Sequence, residues 1–164
     1  MTAKSAKATM SLVVEVANRQ AKMPIDESTM VTAVTEVLGG EAVSSAEISI
    51  AVVDDAEIHQ LNRRYLNHDY ETDVLSFVLE DDGEHLQGEV IVSAETAARL
   101  ATEYGWSAAS ELLLYLIHGT LHLVGYDDKR DTDRQEMRQK EREYLQRCGI
   151  EVPVARSLEG EDTT

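Results

Sequence analysis

One cysteine, Cys148, stands in 164 residues. An internal disulfide framework is therefore excluded, and the count fits a reducing, cytoplasmic setting. No stretch approaches the ~20 apolar residues of a membrane helix. The longest candidate, Leu112 to Ile117, runs straight into His118. Glu15 interrupts the apolar segment after Lys4 and Lys7, so the start lacks the pattern of a secretory signal. Positive charge is scarce. Lys and Arg number 15 against 31 Asp and Glu, for a net charge of −16, which argues against tight non-specific binding to nucleic acid. The bases are also uneven. None lies between Arg64 and Arg99, where nine acids stand, whereas seven fall between Lys129 and Arg147. A polyanion would have to approach through that later segment or through Arg63 and Arg64.

The length suits one domain with one core, here residues 1–150, followed by an acidic tail over 151–164 that is expected to be mobile. Periodicity and breakers give the elements. A strand covers Leu12 to Val16. Pro24 and Asp26 open an amphipathic helix that Gly39-Gly40 stops. Ala46 to Val53 alternates as a strand does. Asp54 or Asp55 caps a helix to about Tyr65. Strands follow at Val74 to Leu79 and Gly88 to Val92, with a turn at Asp81-Asp82-Gly83. Ser93 caps a helix that Gly105 ends, and Ser107 opens a long helix, apolar nearly all round and hence central. A last helix runs from Asp131 or Thr132 to about Arg147. The order β-α-β-α-β-β-α-α-α predicts an α+β class, a small mixed sheet covered by helices. Strand order does not follow from it.

The chemistry concentrates in His118-Gly-Thr-Leu-His122-Leu-Val-Gly125-Tyr-Asp127-Asp128. Histidines four apart share one helix face. Gly125 lets the helix end and the chain turn, and Asp128 follows at the interval that returns a third ligand to the pair. The spacing is that of the metzincin zinc site. Two residues differ from that pattern. Gly119 stands where a peptidase carries its glutamate base, and Asp128 stands where the third histidine would be. Carboxylate oxygen is a competent ligand of Zn2+, and three protein ligands with one open position make a catalytic rather than a structural arrangement.

The run HGTLHLVGYD resembles the YbeY family of bacterial rRNA maturation factors and endoribonucleases. Leu61-Asn62-x-x-Tyr65 with Thr72-Asp73-Val74-Leu75-Ser76-Phe77 looks like that family's LNxxYR…TDVLSF region, and Gly88 to Ser93 looks like its GDIVIS strand. The matching segments cover roughly residues 46 to 145. The resemblance implies a metal-dependent, single-strand-specific endoribonuclease. It also implies a role in 3′-end maturation of small-subunit (16S) rRNA and in ribosome quality control, with rRNA and small-subunit proteins as partners in the bacterial cytoplasm. His118, His122 and Asp128 would hold one divalent ion, Zn2+ first among the choices. The family's arginine after the tyrosine is Leu66 here.

Several residues then carry paired readings. Arg63 or Arg64 supplies the missing guanidinium to a phosphate, or both are solvated surface charges. His68 is a general base or an exposed loop histidine. Asp127 orients a histidine or caps the turn. Ser76 lines the substrate groove or is a strand-face hydroxyl. Arg130, Arg134, Arg138 and Arg142 recur every four residues, as an RNA-binding phosphate track centred on Arg134 and Arg138 or as a solvated face of internal ion pairs. Two rival functions stand beside the nuclease: a metallopeptidase, disfavoured by Gly119, and a non-catalytic ribosome assembly factor whose metal is structural. The second needs a fourth protein ligand, for which His59 and His85 are candidates.

Overall fold

The computed structural model describes residues 10–156. Among the described residues, side chains open four of the five α-helices by accepting from backbone N–H groups that lack an intrahelical partner. Asp26 caps α1 (Glu27–Gly40) through Thr29, and Asp54 caps α2 (Asp55–Leu66) through Glu57. Ser93 caps α3 (Ala94–Tyr104) through Thr96, and Ser107 caps α4 (Ala108–Leu123) through Ser110. The last helix, α5 (Asp131–Arg147), has no side-chain cap and carries Asp131 and Asp133 in its first turn instead, where the helix dipole favours them.

α1 stops at the expected pair, with Gly39 and Gly40 as its last two residues. A Cβ on Gly40 would lie 2.2 Å from the Tyr144 hydroxyl, so this glycine serves close approach of α5. The chain reverses two residues later, at Ala42, with φ of 63°.

The strands β1 (Ser11–Asn18), β2 (Ser45–Val53), β3 (Val74–Asp81) and β4 (Leu86–Ser93) form one sheet in the order β1-β2-β4-β3. β1 runs parallel to β2 and β2 to β4, while β3 pairs antiparallel with β4, with Val74 opposite Val92 and Ser76 opposite Val90. The two parallel pairs are joined through helices, as parallel strands require. The pleat sorts β2 between two faces. Ile48, Ile50 and Val52 enter the larger core with Val34, Leu116 and Leu121. Ala51 and Val53 join Ile58, Leu75 and Ile91 on the opposite face.

α4 lies in the larger core and packs on β3, β4, α1, α3 and α5. Ten of its residues between Glu111 and Leu121 leave only His118 partly open, which makes the helix a rigid support. Past Ile150 the chain stays docked for several residues. Arg156 donates to both carboxylate oxygens of Glu111, at 3.0 and 3.1 Å, and its guanidinium lies 4.1 Å from the Tyr104 ring centroid. Glu111 is fully buried and also accepts from Trp106 Nε1 at 2.7 Å. The remainder of the acidic tail, 157–164, lies outside the described residues, as do Lys4 and Lys7. Among the described residues no helix is long and apolar enough to cross a membrane.

Candidate metal centre

His118 and His122 project from one face near the C-terminal end of α4, half-buried, with their ring centroids 4.6 Å apart. The helix ends at Leu123, and Gly125 takes a φ of 110° that suits glycine. Its neighbour Tyr126 donates its N–H back to the Leu121 carbonyl at 3.0 Å. The turn brings Asp128 to the pair. Asp128 Oδ2 lies 3.5 Å from His118 Nε2 and 3.4 Å from His122 Nε2, and the two Nε2 atoms are 3.1 Å apart. Among the described residues these three form the one group of metal-competent side chains drawn together in this way.

The partners of the other ring nitrogens decide the tautomers. His118 Nδ1 lies 2.5 Å from Glu141 Oε2, and His122 Nδ1 lies 3.0 Å from the Tyr126 carbonyl oxygen. A carbonyl only accepts, and so does an ionised carboxylate, so each Nδ1 carries the proton and donates it. Both Nε2 atoms are then lone-pair donors aimed at each other and at a carboxylate oxygen. Three electron-rich atoms in mutual contact repel unless a cation or a proton lies among them. A tetrahedral Zn2+ with bonds of about 2.0–2.1 Å sets its ligand atoms roughly 3.3–3.4 Å apart. The observed spacings bracket that value, so the donor set fits the metal that the spacing predicts.

Electrostatics point the same way. Burial disfavours the charged form of His118, but the hydrogen bond and charge of Glu141, with the charges of Asp73 and Asp128, outweigh it and hold the imidazole pKa above its ordinary value. Asp73, beside α4 at the start of β3, is pushed the other way. Desolvation raises its carboxyl pKa against the opposing pull of His118.

Support for the ligands comes from residues that spacing does not single out. Glu141 on α5 has no exposed surface, and Arg138 Nη1 donates to it at 3.1 Å. Tyr126 is tied from its hydroxyl to Glu41 Oε1 at 2.9 Å, and Tyr144 reaches Glu41 Oε2 at 2.6 Å. Glu41 thus fastens the ligand turn to α1 and α5. Burial raises the Glu41 pKa, but the two hydroxyls and Lys140 more than offset it and hold the carboxyl below its ordinary value. Only an acid placed to meet a histidine across α4 and α5 could do what Glu141 does. Its position 23 residues from His118 carried no periodic signal.

The other expected site residues fall as follows. Asp127 touches neither histidine. Its carboxylate accepts the Asp128 N–H at 2.7 Å, which is the turn-capping alternative. Gly119 faces the sheet. A Cβ there would lie 2.7 Å from Val90 Cγ1, 3.1 Å from Val74 Cγ2 and 3.3 Å from Ser76 Oγ. The glutamate of a peptidase has no room at this position, and Ser76 sits beneath the helix as a packing neighbour.

His68 is exposed and pairs with Tyr70, its Nδ1 3.1 Å from the Tyr70 hydroxyl. Arg64 lies 5.9 Å from the Tyr65 ring centroid, and Arg63 is 3.6 Å from Asp69. The arginine stripe on α5 is mostly committed internally. Arg130 faces Asp133, and Arg138 faces Glu141. Arg134 pairs with Asp131 and donates to the carbonyls of Asp128 and Lys129 at 3.4 and 3.2 Å. Arg134 and Arg138 therefore brace the metal centre itself. The candidate fourth ligands are also engaged elsewhere, His59 with Asp69 at 2.8 Å and His85 with Ser45 at 2.6 Å.

A mixed sheet with a buried helix that presents two histidines, and a glycine turn that returns a carboxylate, defines a zincin-like architecture with three side chains that could hold a metal ion. Comparison with known proteins narrows the class. The model of the family described as endoribonuclease YbeY matches residues 15–149. The chain is 40% identical over 146 residues to the endoribonuclease YbeY of Pelotomaculum thermopropionicum, covering 82% of this chain and 96% of that one. It is 41% identical over 151 residues to that of Desulforamulus reducens, covering 85% and 99%. A Thermotoga maritima protein with a known solution structure superposes with a TM-score of 0.60 at 27% identity, covering 83% of this chain and 89% of that one. The chain belongs to the endoribonuclease YbeY family.

Proposed function

We propose that the protein is a metal-dependent, single-strand-specific endoribonuclease that acts in 3′-end maturation of small-subunit rRNA, in the cytoplasm. The observation that carries this reading is the convergence of His118 Nε2, His122 Nε2 and Asp128 Oδ2, with each histidine's other nitrogen already satisfied. A divalent ion there, Zn2+ first among the choices, would polarise a phosphoryl oxygen and activate water for attack on the phosphodiester.

The chain's own residues orient and neutralise. Glu141 fixes the His118 tautomer, and the Tyr126 carbonyl fixes that of His122. Asp127 and Arg134 hold the backbone that carries Asp128. Arg64, exposed on α2 and without the carboxylate neighbour that Arg63 has in Asp69, would take the phosphate role of the arginine that Leu66 replaces. Arg134 and Arg138 serve the site's framework more than the substrate. With His59 and His85 engaged elsewhere, His118, His122 and Asp128 would hold the ion without a fourth side chain, which favours catalysis over a structural clip. The lack of room at Gly119 disfavours peptide hydrolysis.

The test is digestion of a labelled RNA spanning the 3′ end of small-subunit rRNA, beside the same RNA annealed to its complement. Cleavage of the single strand, with the duplex spared, is the expected result. Equal cleavage of both, or of neither by metal-loaded protein, would overturn the assignment.

A further inference from the structure

Aromatic residues are rare in this chain: six Tyr, one Trp and one Phe. Tyr115 and Tyr144 are buried, and Tyr104, Tyr126, Trp106 and Phe77 are partly sheltered. The two remaining tyrosines, Tyr65 and Tyr70, are 59% and 53% exposed. Tyr65 lies in the last turn of α2 and Tyr70 in the loop that joins α2 to β3. A core or capping role does not account for two large rings left open to water at this junction.

The rings are held, not loose. Asn67 takes a left-handed φ of 59° and turns the chain back at the end of α2. The His68 N–H donates to the Asn62 carbonyl at 3.2 Å, and Asn62, itself buried, donates its Nδ2 to the Tyr70 carbonyl at 3.0 Å. Tyr65 is braced edge-on by Phe77 at 5.9 Å between centroids. Tyr70 stacks on His68 at 5.3 Å with an interplanar angle of 11°. Each ring is thus supported by one neighbour with much of its surface free. Rings fixed in this way lose little conformational entropy when a ligand covers them.

Arg64 stands beside Tyr65 with no carboxylate partner among the described residues, in a chain of net charge −16. A cation next to open π-faces suits a polyanion that itself offers π-faces. The loop leads directly into Val74, which packs beneath Gly119, the neighbour of His118. We propose that Tyr65 and Tyr70, with Arg64 between base and phosphate, form a stacking platform for unpaired nucleobases of a single RNA strand. A duplex keeps its base faces covered and cannot use such a surface, so the platform supplies the preference for unpaired strands. The proposal rests on the nuclease reading only for the identity of the polymer. It makes His68 a brace for Tyr70 rather than a general base.

The test is binding of a labelled short 2′-O-methyl oligoribonucleotide, and of an abasic strand of equal length and charge, to the full-length protein, followed by fluorescence anisotropy. The parent protein binds the base-bearing strand more tightly. Tyr65→Ala and Tyr70→Ala each weaken that binding roughly 5-fold or more, with an unchanged salt slope. Tyr→Phe variants at both positions restore affinity, whereas Tyr→Leu variants do not. Arg64→Ala lowers the salt slope by about 1. Thermal melts confirm that every variant folds. Equal binding of the abasic and base-bearing strands overturns the platform, and so does alanine-variant affinity equal to the parent's. Leucine variants as good as the phenylalanine ones also overturn it, since they would show that the affinity needs apolar bulk and not a stacking ring. Base-dependent binding by a protein that cleaves no RNA would retire the nuclease reading and leave the platform standing.

Discussion

The buried carboxylate of Glu141 accepts the Nδ1 proton of His118 at 2.5 Å. This bond fixes Nε2 as the nitrogen that faces His122 and Asp128, and it raises the basicity of the ring. Glu141→Gln is expected to lower affinity for Zn2+ about 10- to 100-fold, measured by competition with a chromophoric chelator. The same variant should move the His118 titration toward its ordinary value, as followed by NMR in metal-free protein. Unchanged affinity would make Glu141 a packing residue only.

The raised pKa of His118 gives two pH effects of opposite sign. A proton on the ring excludes the metal, so metal affinity falls as pH falls through the folded-state pKa. In metal-free protein the proton stabilises instead. Because the folded pKa is raised, that stabilisation is fully present below the unfolded value of about 6.5 and is lost as pH rises through the folded one. Urea denaturation of the metal-free parent and of His118→Ala, compared at mildly acidic and mildly alkaline pH, should show the larger difference on the acid side. A difference independent of pH would remove the assigned cause.

Glu41 behaves in the reverse sense. Its folded pKa is lowered, so its contribution is present above the ordinary carboxyl range and is lost as pH falls through the folded value. Glu41→Gln should cost about 1–2 kcal/mol at neutral pH, shrinking as the pH falls to the point where the parent's Glu41 is itself protonated. Denaturant midpoints across that window measure it. Because Glu41 holds Tyr126, metal affinity should fall as well.

Gly119 carries a prediction about what the site cannot become. Gly119→Ala should destabilise the fold by roughly 1–3 kcal/mol, since Val90 and Val74 must give way. Gly119→Glu restores the peptidase pattern in sequence, yet its side chain points at the sheet. No hydrolysis of a casein substrate is expected, and the appearance of any would refute the packing argument.

Much of this was legible beforehand, for identifiable reasons. Period-two alternation in Ala46 to Val53 and the Ser/Asp caps before four helices are local signals, and both appear in the fold. The histidine pair, Gly125 and Asp128 are close in sequence, so their convergence is geometry along one helix and one turn. What stayed hidden depends on long-range packing. Glu141, Glu41 and Arg156 meet their partners across 23, 85 and 45 residues. The α5 arginines were regular enough to suggest a phosphate track, but the other reading, internal ion pairs with acids three residues away, was equally local, and Arg130, Arg134 and Arg138 follow it. Gly39-Gly40 ends α1 as its composition suggests, but the close approach of Tyr144 to Gly40 is a long-range contact that no local signal announces.

The central claim is that three convergent side chains hold the ion that RNA cleavage requires. It is tested most directly by assaying one labelled single-stranded rRNA fragment with four samples: the parent as purified, the parent stripped by chelator, the stripped parent reloaded with Zn2+, and His118→Ala purified identically. Metal content is determined on each. The account predicts cleavage by the first and third samples only, in proportion to bound metal. Cleavage by the stripped parent or by His118→Ala at the parent's rate would contradict it.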